Sequence, residues 1–241
     1  MEKEYLEKLN NKVVHKSLAE AFEILLELKL GKLAFSTSFG QEDQVLTDFI
    51  FKNDFPISVF TLDTGRLFEE TYTVYHQTIK HYKKPITPYF PDTKKVEALV
   101  EAKGPLSFYD SVTNRKECCG IRKVDPLQRA LQGVDVWITG LRGSQSYFRE
   151  QLQVFEFDSS FGLIKFNPLI HWSLEDVIGY LNQHKVPQNI LHSKGFASIG
   201  CAPCTRAIEK EEDLRSGRWW WENSKKECGL HQKLKSLNSY P

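Results

Sequence analysis

The sequence has no long hydrophobic run and no excess of charge of either sign. Its 241 residues include 32 Lys and Arg and 31 Asp and Glu, which gives a formal net charge of +1. Proteins that coat nucleic acids or anionic membranes need a strong basic field, so we expect neither partner here. No segment approaches the roughly 20 apolar residues of a membrane helix. The charged N-terminus, MEKEYLEKLNNKVVHK, does not resemble a secretory signal. Together these absences predict a cytoplasmic protein.

The sequence also lacks an even number of cysteines, internal repeats and Gly/Ser linkers. Its five cysteines cannot all pair within one chain, and thiols in the cytoplasm stay reduced. Cysteines at special spacings therefore indicate metal ligands or nucleophiles first. The composition, 41% hydrophobic and 26% charged, is typical of soluble globular proteins. The length predicts one sizeable domain.

Strand and helix patterns alternate along most of the chain. Helical spacing of apolar residues predicts helices over 18–28, 41–51, 67–82 and 174–184, the last one opened by a capping box at Ser173. Short apolar runs predict strands over 33–37, 57–62, 86–90, 134–139 and 163–166. This alternation predicts an α/β fold of the Rossmann-like kind, a parallel sheet flanked by helices on both faces. Ligands bind such sheets where the carboxyl ends of strands meet loops.

Polar loops follow three of the predicted strands. Ser36, Thr37 and Ser38 lie between a strand and a helix, where backbone N–H groups and the positive helix end favour an anion. The segment lacks both the Lys-Ser/Thr ending of nucleoside triphosphatases and G-x-G-x-x-G. On its own it fits a Ser-rich helix cap equally well. Asp63-Thr64-Gly65 and Gly140-Leu141-Arg142-Gly143 follow the other two strands.

Several arginines lie near these loops or in the C-terminal part of the chain. They are Arg142, Arg149, Arg206, Arg215 and Arg218. An isolated arginine is usually a solvated surface charge. Several that converge on one anion-binding loop suit sulfate or phosphate oxygens, through paired hydrogen bonds.

Four of the cysteines form two local pairs. Cys118 and Cys119 are adjacent, whereas Cys201 and Cys204 are separated by two residues. Four thiolates suit either an iron–sulfur cluster or tetrahedral zinc. Adjacent thiolates crowd a single zinc ion, but a four-iron cluster offers each one its own iron, so the spacing favours the cluster. The alternative is that the cysteines are small buried hydrophobic residues, which accounts for Cys118 and Cys119 but not for Cys201 and Cys204.

The fifth cysteine, Cys228, has no neighbouring cysteine and is available for other chemistry. Lys225, Lys226 and His231 favour its thiolate, whereas Glu227 opposes it. An inert surface cysteine is the alternative.

A further cation, Lys123, follows Cys119 by four residues and shares its face on a helix, where it offsets the negative charge of a thiolate cluster. We expect Pro126 to end or kink that helix.

Seven motifs span residues 33 to 231 together: STSFGQEDQV, LDTGRLFEETY, CCGIRKVDPL, TGLRGSQS, SIGCAPCTR, GRWWWE and KECGLH. In this combination the chain resembles the assimilatory adenylyl-sulfate reductases, the cluster-containing branch of the adenylyl-sulfate and phosphoadenylyl-sulfate reductase family. The resemblance implies a fold like that of adenine nucleotide α-hydrolases, with a modified pyrophosphate loop at residues 36–40. It predicts a nucleotide-binding α/β reductase domain over residues 1–190. Residues 191–241 then form a C-terminal segment that folds over the same domain.

The resemblance also implies a reaction. The Cys228 thiolate attacks the sulfur of adenosine 5'-phosphosulfate, AMP leaves, and reduced thioredoxin releases sulfite from the resulting S-sulfocysteine. His231 and Lys123 complete the expected catalytic set, and Lys123 is expected between the substrate and an iron–sulfur cluster. A [4Fe–4S] cluster is expected on Cys118, Cys119, Cys201 and Cys204. The expected nucleotide and substrate contacts are Ser36, Thr37, Ser38, Asp63, Thr64, Gly65, Arg142, Arg206, Arg215 and Arg218.

The choice of substrate depends on the cysteines and on one departure from the family. Four cluster cysteines favour adenosine 5'-phosphosulfate. A 3'-phosphoadenylyl-sulfate reductase or a dual-substrate enzyme is the alternative. After Arg142 the family commonly has a second Arg and an acidic residue, whereas this chain has Gly143 and Ser144. The loss of one positive charge is expected to change how the enzyme recognises the 3' position of the nucleotide.

Two other classes of protein are alternatives. A thiolating enzyme of the ATP-pyrophosphatase group needs an SGGxDS-type loop, and STSFGQ lacks the paired glycines. A zinc-stabilised binding module is distinguished by metal analysis. Since the chain ends at Pro241 without a thioredoxin-like domain, we expect thioredoxin to be a separate electron donor. A homo-oligomer is compatible with the sequence, which does not fix the oligomeric state.

Overall fold

The alternating pattern produces a six-stranded sheet with helices on both faces. A computed structural model describes residues 2–146 and 149–222. The strands are β1 (Leu33–Ser36), β2 (Ile57–Leu62), β3 (Thr87–Tyr89), β4 (Val136–Ile138), β5 (Phe155–Asp158) and β6 (Leu163–Phe166). The helices are α1 (Glu2–Val13), α2 (Leu18–Glu27), α3 (Gln41–Lys52), α4 (Glu69–Tyr82), α5 (Thr93–Lys103), α6 (Val112–Cys119), α7 (Asp125–Ala130) and α8 (Leu174–Gln183).

Most predicted elements are confirmed, with ends shifted by no more than two residues. The capping box that opens α8 is present, since Asp176 N donates to Ser173 Oγ at 3.0 Å and Ser173 N donates back to Asp176 Oδ2 at 2.8 Å. Five elements were not predicted from the pattern: α1, α5, α6, α7 and β5. The four helices are short or largely polar, so helical spacing of apolar residues is weak in them.

The strand order is β3-β2-β1-β4-β6-β5, and every neighbouring pair is parallel except β5 with β6. The prediction of a parallel sheet therefore holds for five strands and is wrong for the edge strand β5. Only residues 159–162 separate β5 from β6, and so short a connection can join antiparallel strands but not parallel ones.

Alternating side chains of the central strands supply two cores. On one face Phe35, Val136 and Ile138 pack with Phe22 of α2 and Val177 of α8. On the other face, Ala34 and Trp137 pack with Leu127 and Ala130 of α7. Because side chains alternate along a strand, a sheet buried on both faces needs apolar residues at consecutive positions, as in these strands.

The chain from α6 to α7 contains the predicted irregularity near Pro126. Residues Gly120–Val124 form a π-helical turn, after which α7 begins at Asp125 with Pro126 in its first turn. Proline lacks an N–H group, which favours its place at a helix start. The four-residue spacing from Cys119 to Lys123 thus crosses a π turn, and the shared-face argument based on α-helical spacing does not apply.

The strand order reverses between β1 and β4, so the loops after these strands diverge and leave a crevice at their carboxyl ends. Among the described residues, no helix has both the length and the apolar character needed to span a bilayer.

Candidate functional site

A cleft of about 230 Å³ lies at this crevice. Its wall includes the loop after β1, with Ser36, Thr37 and Ser38, and the loop after β4, with Thr139 and Gly140. The predicted anion-binding loop therefore lies where parallel α/β sheets bind ligands.

The loop after β1 has a strained backbone that its surroundings hold in place. Phe39 has a φ of 61°, a left-handed conformation that is rare for a residue with a large side chain. Its ring is 1% exposed and stacks on Tyr75 with the ring centroids 4.7 Å apart. Thr37 N donates to the carbonyl of Phe60 at 2.8 Å. The loop is thus shaped before any ligand binds, which lowers the cost of binding one.

Asp43, in the first turn of α3, organises the same loop. Its Oδ2 accepts hydrogen bonds from Ser38 N and Ser38 Oγ, both at 2.6 Å. Burial raises the pKa of Asp43 to about 6, although the bonds from Ser38 favour the carboxylate. Gly140 approaches Asp43 so closely that a Cβ added there lies 2.1 Å from Asp43 Oδ1. Glycine at position 140 therefore lets the two loops meet.

Ser36 is oriented from the sheet. Trp137 Nε1 donates to Ser36 Oγ at 2.9 Å, and both residues line the cleft. Because the hydroxyl oxygen accepts this bond, the Ser36 O–H remains able to donate to another group.

The second predicted loop, Asp63 to Gly65, is also ordered by side-chain hydrogen bonds. Asp63 Oδ1 accepts from Gly65 N at 2.8 Å and from Tyr72 Oη at 2.9 Å. Gly65 has a φ of 69°, which favours glycine in this tight turn. Of the three predicted residues Thr64 lines the cleft, whereas Asp63 and Gly65 lie behind it and shape the loop.

The arginines divide into two groups. Arg215 and Arg218 line the cleft, and Arg149, which lay outside the predicted contact set, lines it too. Arg142 is buried beside Glu42, with Nε 3.1 Å from Oε1, and Arg206 pairs with Glu212 at 2.7 Å.

The structure does not bring Arg142 or Arg206 to the cleft wall. Both find a carboxylate partner within their own surroundings instead.

All four paired cysteines line a second, smaller cavity. Cys118 and Cys119 end α6, and Cys201 and Cys204 flank a single 3₁₀ turn. All four are free thiols. Ala202 N donates to the carbonyl of Arg66 at 2.8 Å, which fixes the turn next to the Asp63–Gly65 loop. Their role as ligands stays a prediction.

Cations surround this cavity. Its lining includes Arg66, Arg115, Arg122 and Lys123. Burial alone raises the pKa of the Cys201 thiol, but Lys123, a hydrogen bond with Thr64 and the nearby arginines outweigh it and lower the pKa. The Thr64 Oγ1 to Cys201 Sγ distance is 3.3 Å.

Cys204 differs from Cys201 although the two belong to the same turn. Burial and the neighbouring Cys201 raise the pKa of Cys204 to about 12. Within the described ranges 2–146 and 149–222, no three His, Cys, Asp or Glu side chains are placed to hold one metal ion.

Lys123 lines both cavities and lies between them. The family resemblance predicts Lys123 between the cluster and the substrate, and in the structure Lys123 lines both the cysteine cavity and the cleft. No role in the site was predicted for Asp43, Trp137 or His192, which also line the cleft. Asp43 follows the polar loop by a few residues, a signal that was available. Trp137 and His192 gave none, because one resembles a core residue and the other lies far along the chain. Cys228 and His231 lie outside the described residues.

Three comparisons with known proteins agree with this geometry. Residues 32–207 match the model of the phosphoadenosine phosphosulfate reductase domain. An adenosine 5'-phosphosulfate reductase of Allochromatium vinosum is 48% identical over 218 residues, 89% of this chain and 85% of that protein. The structure of phosphoadenylyl-sulfate reductase from Candida auris, in a phosphate complex, superposes with a TM-score of 0.73 at 30% identity over 84% of this chain and 97% of that one.

A more distant solved structure shares the fold alone. FMN adenylyltransferase of Candida glabrata superposes with a TM-score of 0.53 at 19% identity, over 93% of this chain and 76% of that one. The predicted fold, an α/β sheet like that of the adenine nucleotide α-hydrolases, is confirmed.

Proposed function

The chain belongs to the phosphoadenosine phosphosulfate reductase family, and we propose that it reduces adenosine 5'-phosphosulfate to sulfite and AMP in assimilatory sulfate reduction. The observation that carries this proposal is Lys123, which lines both the cleft and the cavity of four cysteines. A single cation between a thiolate set and an anion site couples the charge of one to the other.

The cleft supplies groups suited to a nucleotide with a phosphosulfate. Ser36, Thr37 and Ser38 offer hydroxyl donors beside the start of α3, where the helix end favours negative charge. Arg215 and Arg218 line the same cleft and are the expected partners of the sulfonate and phosphate oxygens. These cations stabilise charge that develops on the leaving phosphate.

The cysteine cavity fits a [4Fe–4S] cluster by the chemistry of its donors. Four free thiols face one cavity, and cations lower the pKa of Cys201 within it. Arg122 Nε is buried there and has no hydrogen-bond partner among the described residues, as expected for a donor that faces a sulfur acceptor. Cys118, Cys119, Cys201 and Cys204 would hold the cluster. When bound, the cluster supplies a fixed negative charge that tunes the electrostatics around Lys123.

The reaction divides into three displacements at sulfur. The Cys228 thiolate attacks the sulfur of the phosphosulfate, an S–S bond forms, the S–O bond to phosphate breaks, and AMP leaves with the electron pair. One thiolate of reduced thioredoxin then attacks Cys228 Sγ, and sulfite leaves with the electrons of the S–S bond. The second thioredoxin thiol resolves the mixed disulfide and restores the Cys228 thiol. Two electrons thus pass from the thioredoxin dithiol to the sulfonate. Lys123 and His231 assist the first displacement as cations.

The second candidate is reduction of the 3'-phosphorylated nucleotide. The Candida auris structure, which is that of a phosphoadenylyl-sulfate reductase, favours it at 30% identity. The relative that is 48% identical favours adenosine 5'-phosphosulfate. In the loop after β4, Arg142 is paired with Glu42, so its charge is already balanced. We expect this pairing to leave little attraction for an additional phosphate.

One experiment tests the activity and the cofactor together. Protein purified anaerobically is analysed for iron and sulfide, and sulfite release is then measured with reduced thioredoxin and either nucleotide. We expect four irons per chain and a higher kcat/KM for adenosine 5'-phosphosulfate. Stoichiometric zinc without iron contradicts the cluster, and a preference for the 3'-phosphorylated nucleotide contradicts the substrate. The requirement for reduced thioredoxin agrees with a cytoplasmic location.

A further inference from the structure

A buried ion pair joins the two ends of the cysteine region. Arg115 Nε and Nη2 donate to Glu222 Oε1 and Oε2, each at 2.8 Å, and both side chains are at least nine-tenths buried. The Arg115 guanidinium also lies 4.5 Å from the centre of the Trp219 ring. Two parallel hydrogen bonds between planar groups define one orientation, which a pair of apolar side chains would not.

The partners come from segments with different roles. Arg115 lies in α6, three residues before Cys118, and it lines the cysteine cavity. Glu222 is the last described residue, and its N–H donates to the carbonyl of Trp219 at 2.9 Å. The pair therefore fixes the point from which residues 223–241 continue, relative to the helix that carries two of the four paired cysteines.

The reach of the chain makes this point important for Cys228. Cys228 follows Glu222 by six positions. An extended chain spans at most about 3.3–3.6 Å per residue, or roughly 20 Å over this stretch. Wherever residues 223–228 run, Cys228 lies within that radius of the Glu222 backbone. A shift of Glu222 therefore moves the whole volume in which the thiol is found.

We propose that Arg115 and Glu222 are positioning residues that set the origin of the C-terminal segment and so deliver the Cys228 thiol to the bound substrate. This inference rests on the proposed role of Cys228 as the nucleophile. A buried ion pair is weak support for stability, since apolar residues of similar volume serve as well. Its defined geometry is better suited to holding one segment at one place.

The test measures sulfonation of Cys228 in a single turnover. Cluster-loaded protein is mixed anaerobically with adenosine 5'-phosphosulfate without thioredoxin, and the sulfonated fraction is followed by intact mass. We expect Glu222→Gln to sulfonate Cys228 at least about tenfold more slowly, because misplacement of a reacting group by an ångström costs up to roughly a hundredfold. AMP affinity and iron content should stay at wild-type values. Glu117→Gln is the matched control: Glu117 lies in α6, as Arg115 does, and its exposed 2.6 Å ion pair is with Lys103 at the end of α5.

Two further variants separate positioning from folding. Arg115→Lys keeps the charge without the two-pronged geometry and should also slow sulfonation. This variant decides the test if Glu222→Gln loses iron. The charge swap, Arg115→Glu with Glu222→Arg, should recover part of the rate. Wild-type rates in Glu222→Gln or Arg115→Lys contradict the proposal, as does a loss of AMP affinity that parallels the rate. If wild-type Cys228 gains no sulfonate, the proposed function itself fails, and this role for the pair fails with it.

Discussion

Replacing Gly140 with alanine tests whether the loops after β1 and β4 form one nucleotide site. A Cβ at this position lies 2.1 Å from Asp43 Oδ1 and 3.2 Å from Asp43 N, whereas ordinary contacts begin near 3.4 Å. The carboxylate must therefore move by about 1.3 Å. It is half-buried and bound to Ser38 by two hydrogen bonds of 2.6 Å, so the movement breaks them.

The expected cost follows from these bonds. Hydrogen bonds to a charged group contribute about 1.5–3 kcal/mol each, so restoring the loop for binding costs at least about 3 kcal/mol. AMP should therefore bind roughly a hundredfold more weakly, as measured by calorimetry at a pH above the Asp43 pKa. Gly179→Ala is the matched control. Gly179 is an exposed residue of α8, and a Cβ added there has no other atom within 4 Å. Wild-type AMP affinity in Gly140→Ala would refute the reasoning. In a variant that already carries Asp43→Ala, adding Gly140→Ala should cause little further loss of AMP affinity.

Two further predictions concern the same loop. Because burial raises the pKa of Asp43 to about 6, the folded protein holds that proton more tightly than the unfolded chain, and stability is lost as pH rises from about 4 through 6. Asp43→Asn removes this loss. The Tm of Asp43→Asn minus the Tm of wild type should therefore increase between about pH 5 and pH 7.5, and a difference that stays constant contradicts a raised pKa of Asp43. Trp137→Phe removes the donor to Ser36 and should weaken AMP binding about fivefold without changing iron content. Unchanged binding would show that this bond does not orient Ser36.

Much of the fold was predictable because its central elements carry strong local patterns. β2, buried at four of six positions, and α2, with its apolar face, combine periodicity with clear ends. β5 was missed because its alternation is short and its pairing depends on a turn to β6. The π turn at Gly120–Val124 arises from contacts that local spacing does not encode.

The site was predictable where function requires particular side chains close together in sequence. The four paired cysteines and Ser36–Ser38 belong to such segments, and they line two neighbouring cavities. The arginines were harder, because a positive charge does not indicate its partner. Arg142 pairs with Glu42, a residue 100 positions away, and only the folded chain brings them together.

Covalent capture of the sulfonate tests the central claim most directly. Wild-type protein and Cys228→Ser are incubated anaerobically with adenosine 5'-phosphosulfate in the absence of thioredoxin, and then examined by intact mass and peptide mapping. Wild-type protein should gain one sulfonate on Cys228 and release an equal amount of AMP. Cys228→Ser should gain none while it keeps its iron. A sulfonate on another residue would contradict the account. So would sulfite release by Cys228→Ser at the wild-type rate after reduced thioredoxin is added.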